Sequence, residues 1–201
     1  MVPFKTLKAL AAPLNQDNID TDQILPARFL MMPRDQKYRT YLFRDLREDN
    51  NGLQTPDFFL NQKKFAKAQI IVAGRNFGCG SSREGAVFTL VDSGFRSVIA
   101  PSFGDIFYNN SFNNGLLPIV LPERLVKELQ QFLINEAAPE ITIDLESEQV
   151  FCEATSWVKF DIDPHRRERL LKGLDMIDYT QQFGEAINRY ERDCLVDKKW
   201  L

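Results

Sequence analysis

The sequence predicts an α/β protein with a three-layer core and a mostly parallel sheet. Short apolar runs alternate with helical patterns between residues 69 and 135, and this βαβα order is typical of parallel strands covered by helices. Alternating apolar and polar residues over 141–160 indicate additional antiparallel strands. With 201 residues and 16 Phe the chain can bury a substantial core, so we expect a single domain over 1–201, with a helical tail over 163–201.

The individual elements follow in order along the chain. A first strand is predicted from Phe4 to Ala11, ending at Pro13, and residues 33–57 form a charged, aromatic excursion with a turn at Asn50-Asn51-Gly52. Further strands are predicted at 69–73, 97–100 and 116–121, and helices near 82–93, over 103–113 and from Pro122 to about 135. The apolar face of the last helix is predicted to be Leu125, Leu129, Phe132 and Leu133. In the tail, Gly173 and Gly184 are predicted to interrupt the helices.

Composition excludes several classes of protein. The net charge is −3 and the chain has no long basic run, which gives nucleic-acid binding little support. The first residues lack the apolar core of a signal peptide, and no apolar run approaches the ~18 residues of a membrane span. We therefore expect a soluble, cytoplasmic protein with neither a membrane nor a nucleic acid as partner.

The few cysteines and histidines limit the chemistry of the chain. Cys79, Cys152 and Cys194 are widely spaced without a Cys-x-x-Cys motif, so no metal or cofactor is expected to be held by this chain alone. His165 is the single histidine, and after Asp163-Pro164 it is predicted to lie beside a helix cap. A Ser-His-Asp or Cys-His enzyme would depend on that residue alone. Cys79 could act as a nucleophile, although small buried cysteines beside turns are common.

The stretch from Gly74 to Gly85 is the best candidate for a functional site. It joins a predicted strand to a predicted helix, and glycines at 74, 78 and 80 allow sharp turns and close approach of a ligand. Ser81, Ser82 and Arg83 then fall where the helix begins, near unpaired N–H groups and a partial positive charge. This arrangement favours binding of a carboxylate or phosphate.

Simpler interpretations of the same residues remain open. Ser81-x-x-Glu84 also matches a capping box, in which both residues only cap the helix. The loop lacks the lysine of a P-loop, the third glycine of a dinucleotide fingerprint and the closing glycine of a nucleophile elbow. Upstream, the three aspartates within 17–22 could form a cation loop, but a turn with Asx hydrogen bonds is favoured.

Four segments together give a resemblance to a known family. They are Asp17-Asn18-Ile19-Asp20-Thr21-Asp22 with Ile24-Leu25-Pro26, the loop Asn76 to Glu84, Ser102 to Pro118, and Leu170 to Asp175. With these segments, which span nearly the whole chain, the sequence resembles the small subunits of isopropylmalate isomerases (3-isopropylmalate dehydratases). That family is related to the swivelling C-terminal domain of aconitase.

The resemblance implies a swivelling β/β/α domain that closes an active site against a large partner subunit carrying a [4Fe–4S] cluster. It implies that Ser81, as an alkoxide, removes a proton next to a carboxylate of a small hydroxy di- or tricarboxylate. Ser82 and Arg83 match positions that hold substrate carboxylates, and Asp22 and Asn76 match positions expected to support them. Such an enzyme is a hydro-lyase that isomerises 2-isopropylmalate and 3-isopropylmalate by dehydration and rehydration, in leucine biosynthesis.

Two departures from the family pattern leave the substrate open. Position 85 is Gly where the family usually has His, and residues 31–41 lack the expected Arg-Thr-Gly segment. Met31, Met32 and Tyr38 are instead predicted to offer apolar surface, and Arg34 is predicted to contact a substrate carboxylate. Two alternatives therefore stand beside the isopropylmalate reaction: a related subunit acting on a homoaconitate- or citraconate-type acid, and a non-catalytic module that binds a small anion.

Overall fold

One seven-stranded mixed sheet organises the protein. The computed structural model describes residues 1–49, 51–80 and 83–197, with side chains through Cys194. The strands are β1 (Thr6–Leu14), β2 (Ile70–Ala73), β3 (Ser97–Ala100), β4 (Leu117–Val120), β5 (Glu140–Asp144), β6 (Gln149–Cys152) and β7 (Ser156–Lys159). Their order is β4-β3-β2-β1-β5-β6-β7, parallel from β1 to β4 and antiparallel from β1 through β5 to β7. This confirms the α/β prediction with its added antiparallel strands.

Helices of very different lengths lie between these strands and after β7. They are α1 (Thr21–Ile24), α2 (Arg44–Arg47), α3 (Glu84–Asp92), α4 (Asp105–Asn113), α5 (Glu123–Asn135), α6 (Pro164–Lys172), α7 (Met176–Gln181) and α8 (Gly184–Asp197), with short 3₁₀ turns at Ala27–Phe29, Tyr38–Tyr41, Phe59–Asn61 and Lys63–Phe65. The excursion over 33–57 therefore consists mainly of short turns. Asn50 of its predicted turn lies outside the described residues, and Gly52 has the left-handed backbone, φ +76°, that such a turn requires.

Alternate residues of the parallel strands supply two separate cores, one on each face of the sheet. On β2, Ile70 and Val72 belong to the core beneath α5 and α6, whereas Ile71 and Ala73 belong to the core beneath α3. Neighbouring strand residues point to opposite faces, so a short, wholly apolar strand must be covered on both sides. This explains why β2 has no alternation of apolar and polar residues.

Two details of the predicted elements need correction. Strand β1 continues through Pro13, which pairs with Val72, because β5 pairs with β1 only as far as Leu10 and leaves one edge of β1 free beyond it. The buried face of α5 consists of Val126, Leu129, Gln130 and Leu133, while Leu125 and Phe132 are only partly buried. The positions of apolar residues alone do not predict this buried face, because one of its members is the polar residue Gln130.

The tail confirms the predicted breaks. Gly173 ends α6 in the left-handed conformation, φ +69°, and α8 begins at Gly184. His165 lies in the first turn of α6, where its N–H donates to the capping carboxylate of Asp163 at 3.1 Å, as the sequence predicts. No helix in the described part of the chain is long and apolar enough to cross a bilayer.

Candidate active site

The glycine loop leaves the carboxyl end of β2 and is bordered by the chain segments that follow β1 and β3. Because β1, β2 and β3 are parallel, their carboxyl ends meet at one edge of the sheet. Open α/β sheets bind ligands at this edge. The three segments are therefore gathered where a site is expected.

The segment after β1 runs alongside the loop and is bonded to it through the backbone. Asn18 N–H donates to Arg75 O at 2.9 Å, Gly78 N–H donates to Ile19 O at 2.7 Å, and Thr21 N–H donates to Cys79 O at 2.9 Å. The Asp17 carboxylate also accepts from Arg75 N–H at 2.9 Å and forms an ion pair with its guanidinium. Asp17 thus fastens the segment after β1 to the glycine loop by a long-range contact, which differs from the local Asx turn that the sequence predicts.

The segment after β3 holds the loop from the other side. Phe77 N–H donates to Ser102 O at 3.1 Å and Gly104 N–H donates to Phe77 O at 2.9 Å. A Cβ on Gly78, which has φ +73°, would lie 2.2 Å from Phe107 Cγ, and a Cβ on Gly104 would lie 2.5 Å from Gly78 O. Both glycines are needed because the two segments approach too closely for any side chain.

Asn76 stabilises the first bend of this loop. Its backbone is left-handed, φ +58°, a conformation that asparagine tolerates better than most residues. Its side-chain amide donates to Asn18 Oδ1 at 2.8 Å, and its N–H donates to Ser102 Oγ at 2.8 Å. Asn76 therefore links all three segments, while its predicted importance for activity stays a prediction.

Arg83 and Asp22 are brought together at the end of the loop. Arg83 precedes the first residue of α3 and is largely buried, and its Nη1 forms an ion pair with Asp22 Oδ1. Asp22 lies in α1, which Asp20 caps by accepting from Gln23 N–H at 2.7 Å. The guanidinium has five N–H groups, so Asp22 leaves some of them available to a ligand. This geometry suits an arginine that binds a carboxylate ligand while its ion pair with Asp22 holds the guanidinium in position.

Ser81 and Ser82, the predicted base and its neighbour, lie outside the described residues. The structure nevertheless bears on the capping-box alternative, since α3 begins at Glu84 with Arg83 as its cap residue, two positions later than that motif requires. Glu84 instead accepts from the amide of Asn114 at 2.9 Å. The capping-box interpretation is therefore wrong, and Glu84 ties the start of α3 to the end of α4.

Arg34 contacts α3 near the helix's C-terminal end, whereas Arg83 lies at its start. It donates to both carboxylate oxygens of Asp92 at 2.7 Å and stacks on Phe88, with 4.2 Å between the guanidinium carbon and the ring centroid. Hydrogen bonding to Asp92 raises the pKa of Arg34. Since Phe88 and Asp92 follow Glu84 by one and two turns, this contact lies about 6–12 Å along the helix. The predicted contact with a substrate carboxylate stays a prediction.

The two departures from the family pattern meet in space. A Cβ on Gly85 would lie 2.9 Å from Leu25 Cδ2 and 3.0 Å from the Tyr38 hydroxyl. Tyr38 is only 3% exposed, and burial raises the pKa of its phenol, so its predicted role as apolar surface is wrong. Met31 and Met32 are exposed as predicted, Met31 to 95%. No local sequence pattern connects position 85 with the 31–41 segment, because only the fold reveals that Tyr38 occupies the space beside Gly85.

The remaining reactive side chains contribute little to this site. Burial, and to a lesser extent the charge of Asp20, raises the pKa of the Cys79 thiol, which disfavours the nucleophilic thiolate. His165 lies in the tail, where its Nδ1 is 3.1 Å from the Tyr179 hydroxyl. Among the described residues, no group of three or more His, Cys, Asp and Glu could hold a metal ion.

Comparison with known proteins gives a consistent result across the whole chain. Residues 1–124 match the model of the aconitase C-terminal domain family. Two 3-isopropylmalate dehydratase small subunits, from Granulibacter bethesdensis and Rhodospirillum centenum, are 48% and 45% identical to it; the alignments cover 100% of this chain and 96% and 98% of theirs. A crystal structure of 3-isopropylmalate dehydratase from Methanocaldococcus jannaschii superposes with a TM-score of 0.65 at 27% identity, covering 92% of this chain and 99% of that one. This chain therefore belongs to the 3-isopropylmalate dehydratase small-subunit family, within the broader group that shares the aconitase C-terminal domain.

Proposed function

We propose that the chain, acting as a single domain over residues 1–201, is the small subunit of a cytoplasmic two-subunit hydro-lyase. The enzyme isomerises 2-isopropylmalate and 3-isopropylmalate by dehydration followed by rehydration. The observation that supports this most directly is the Arg83–Asp22 ion pair at the start of α3, beside the serine positions and at the carboxyl edge of the parallel strands. It offers a fixed carboxylate-binding cation where the family resemblance places the reacting acid.

In this proposal Ser81 is the base. Its alkoxide removes the proton next to a substrate carboxylate, and the negative charge that develops on that carboxylate is stabilised by Arg83 and Ser82. The hydroxyl departs on the side of the large subunit, and water then adds in the other orientation. A serine hydroxyl ionises only where its anion is strongly stabilised, and the helix start and Arg83 are suited to provide that field in a closed site.

The large subunit is an essential part of the proposal. The described residues offer no ligand set for a metal, so we assign the [4Fe–4S] cluster implied by the resemblance to the large subunit. The steps above use only side chains of this chain. In the predicted contact between Arg34 and a substrate carboxylate, the Nη1 group would donate, because Nε and Nη2 already donate to Asp92.

A related acid is a second candidate substrate, because Tyr38 fills the space beside Gly85. A filled volume near the site changes which alkyl or carboxyl group fits there. A homoaconitate- or citraconate-type acid therefore remains an alternative substrate of the same chemistry.

The test is turnover by the two-subunit complex. The chain and its large subunit are co-expressed, purified anaerobically and assayed with isopropylmalate, homoaconitate and citraconate-type acids, alongside each subunit alone. We expect turnover only by the complex, with the highest kcat/KM for isopropylmalate. A different preferred acid would move the assignment to the second candidate. A complex that assembles, carries its cluster and turns over none of these acids would instead favour the non-catalytic binding module.

A further inference from the structure

A cavity of about 360 Å³ lies between helices α4, α6 and α7. Its size falls within the range of small-molecule pockets. None of its lining residues belongs to the glycine loop or to the segment over 17–22. Arg166, Arg169 and His165 line it from α6, together with Asn109 and Asn113 from α4. The cavity therefore gathers several hydrogen-bond donors and cations at a place separate from the candidate active site.

Arg169 is the most unusual of these residues. It is 6% exposed, its Nη2 donates to the neutral Oδ1 of Asn113 at 3.2 Å, and its Nε has no hydrogen-bond partner among the described residues. Burial lowers the pKa of Arg169, and the charge of Asp175 offsets this only in part. A guanidinium buried without a carboxylate at salt-bridge distance, in the part of the chain that the structure describes, is costly unless an anion approaches it.

Arg166 brings a second cation to the same face of α6, three residues earlier. Its Nη2 donates to Asn109 Oδ1 at 2.8 Å, and its guanidinium carbon lies 4.9 Å from the ring centroid of Phe112. These partners are also neutral. The lining carboxylate, Asp163, already accepts the N–H groups of His165 and Arg166 at 3.1 and 3.0 Å as the helix cap.

We propose that this cavity binds a small anion through a carboxylate or phosphate group held by Arg166 and Arg169. Either group can accept paired N–H bonds from a guanidinium. Phe112 and Met176 line the remainder, so the ligand also carries an apolar or neutral portion. The proposal concerns binding outside the candidate active site and does not depend on the reaction proposed above.

Calorimetric titration of the full chain tests the proposal with two anions. Inorganic phosphate represents the phosphate class, and tricarballylate, an unreactive tricarboxylate, represents the carboxylate class. The wild type is compared with Arg166→Gln, Arg169→Gln, Arg83→Gln and Arg124→Gln. Arg83→Gln removes a cation from the candidate active site, and Arg124→Gln removes one from an exposed i,i+4 ion pair on α5.

We expect at least one anion to bind the wild type and Arg124→Gln alike, and the Kd to rise at least about ten-fold in Arg166→Gln and Arg169→Gln. The anion that binds identifies the ligand class. If Arg169→Gln does not fold, Arg166→Gln decides, since that side chain is less buried. No heat with either anion, equal affinity in Arg166→Gln, or loss of binding only in Arg83→Gln would each overturn the proposal.

Discussion

Arg83 owes its position to a carboxylate from a distant part of the chain. Asp22 is held in α1 by the Asp20 cap, and α1 is bonded to the glycine loop through Thr21 N–H and Cys79 O. The Asp22 carboxylate therefore holds Arg83 in place, and the backbone bond between α1 and the glycine loop holds Asp22 in place. A bidentate arginine is effective only when its orientation is set beforehand, because each free rotamer lowers the fraction of productive complexes.

This dependence predicts the effect of Asp22→Asn in the two-subunit complex. The amide keeps the shape of the side chain and removes the charge that holds Arg83. We expect kcat/KM to fall about ten- to hundred-fold, while the melting temperature changes little because Asp22 is half exposed. Asp45→Asn is the matched control, since it removes a carboxylate from an exposed pair with Arg28. Equal kinetics for the wild type and Asp22→Asn would show that Arg83 does not need its partner.

The sequence could identify these residues but not all of their neighbours. Glycines, serines and an arginine between a strand and a helix indicate an anion site from local chemistry alone. The contact between Tyr38 and Gly85 joins residues far apart in the chain, and no local pattern reports it. The same holds for the pair of Arg34 with Asp92, where an apparently free cation already has a carboxylate.

Helix α3 is the element on which both departures from the family pattern converge. Leu25 and Tyr38 pack beside Gly85 in its first turn, and Arg34 is tied to Phe88 and Asp92 farther along. The segment that leads to Met31 and Met32 is thus attached to the helix that follows the serines. A change in that attachment moves the exposed methionines relative to the start of α3.

Comparing Arg34→Ala with Asp92→Ala separates the two roles of Arg34. Because Asp92 accepts two N–H bonds from Arg34, we expect both variants to change kcat/KM by the same factor and to shift the ranking of candidate acids alike. Circular dichroism should be unchanged in both. A loss of activity in Arg34→Ala with wild-type kinetics in Asp92→Ala would instead identify Arg34 as a substrate ligand.

A substitution in the turn between β3 and α4 should lower the stability of the fold through steric crowding alone. Gly104→Ala would place a Cβ 2.5 Å from Gly78 O, which belongs to the backbone of the loop and can yield only if the loop shifts. We expect the free energy of unfolding in urea to fall by about 1–3 kcal/mol. Gly184→Ala, with open space around its position, should leave it unchanged or slightly raised. Equal stability of the two variants would show that the loop has room to move.

Apolar periodicity predicts the elements correctly where burial follows it and incorrectly where a polar residue is buried. The sequence places β2, β3 and β4 within about two residues, since these strands are apolar and are closely followed by glycine or proline. The phase of α5 was wrong because Gln130 is buried, with its amide 3.2 Å from Val72 O. The short turns between residues 27 and 65 have no periodicity from which they could be predicted.

At the scale of the whole molecule, most of the apolar core lies on the two faces of the sheet, and the candidate site lies at its carboxyl edge. Two apolar cores cover both faces of the sheet, and the glycine loop with its neighbouring segments stands at the carboxyl edge. Variants of polar residues at this edge, such as Asp22, can therefore alter chemistry without removing core contacts, whereas Phe77 of the loop belongs to the core beneath α3. The exposed Met31 and Met32 lie on the segment attached to α3, where apolar surface suits contact with the large subunit or the alkyl group of a substrate.

Turnover by the two-subunit complex carrying Ser81→Ala tests the central claim most directly. Ser147→Ala, in the exposed turn between β5 and β6, is the matched control. If Ser81 supplies the base, Ser81→Ala should co-purify with the large subunit at wild-type yield and lose at least about 100-fold in kcat, the contribution expected of a general base. Ser147→Ala should match the wild type in both measurements. Near-normal turnover by an assembled Ser81→Ala complex would contradict the account, because the base would then have to come from elsewhere.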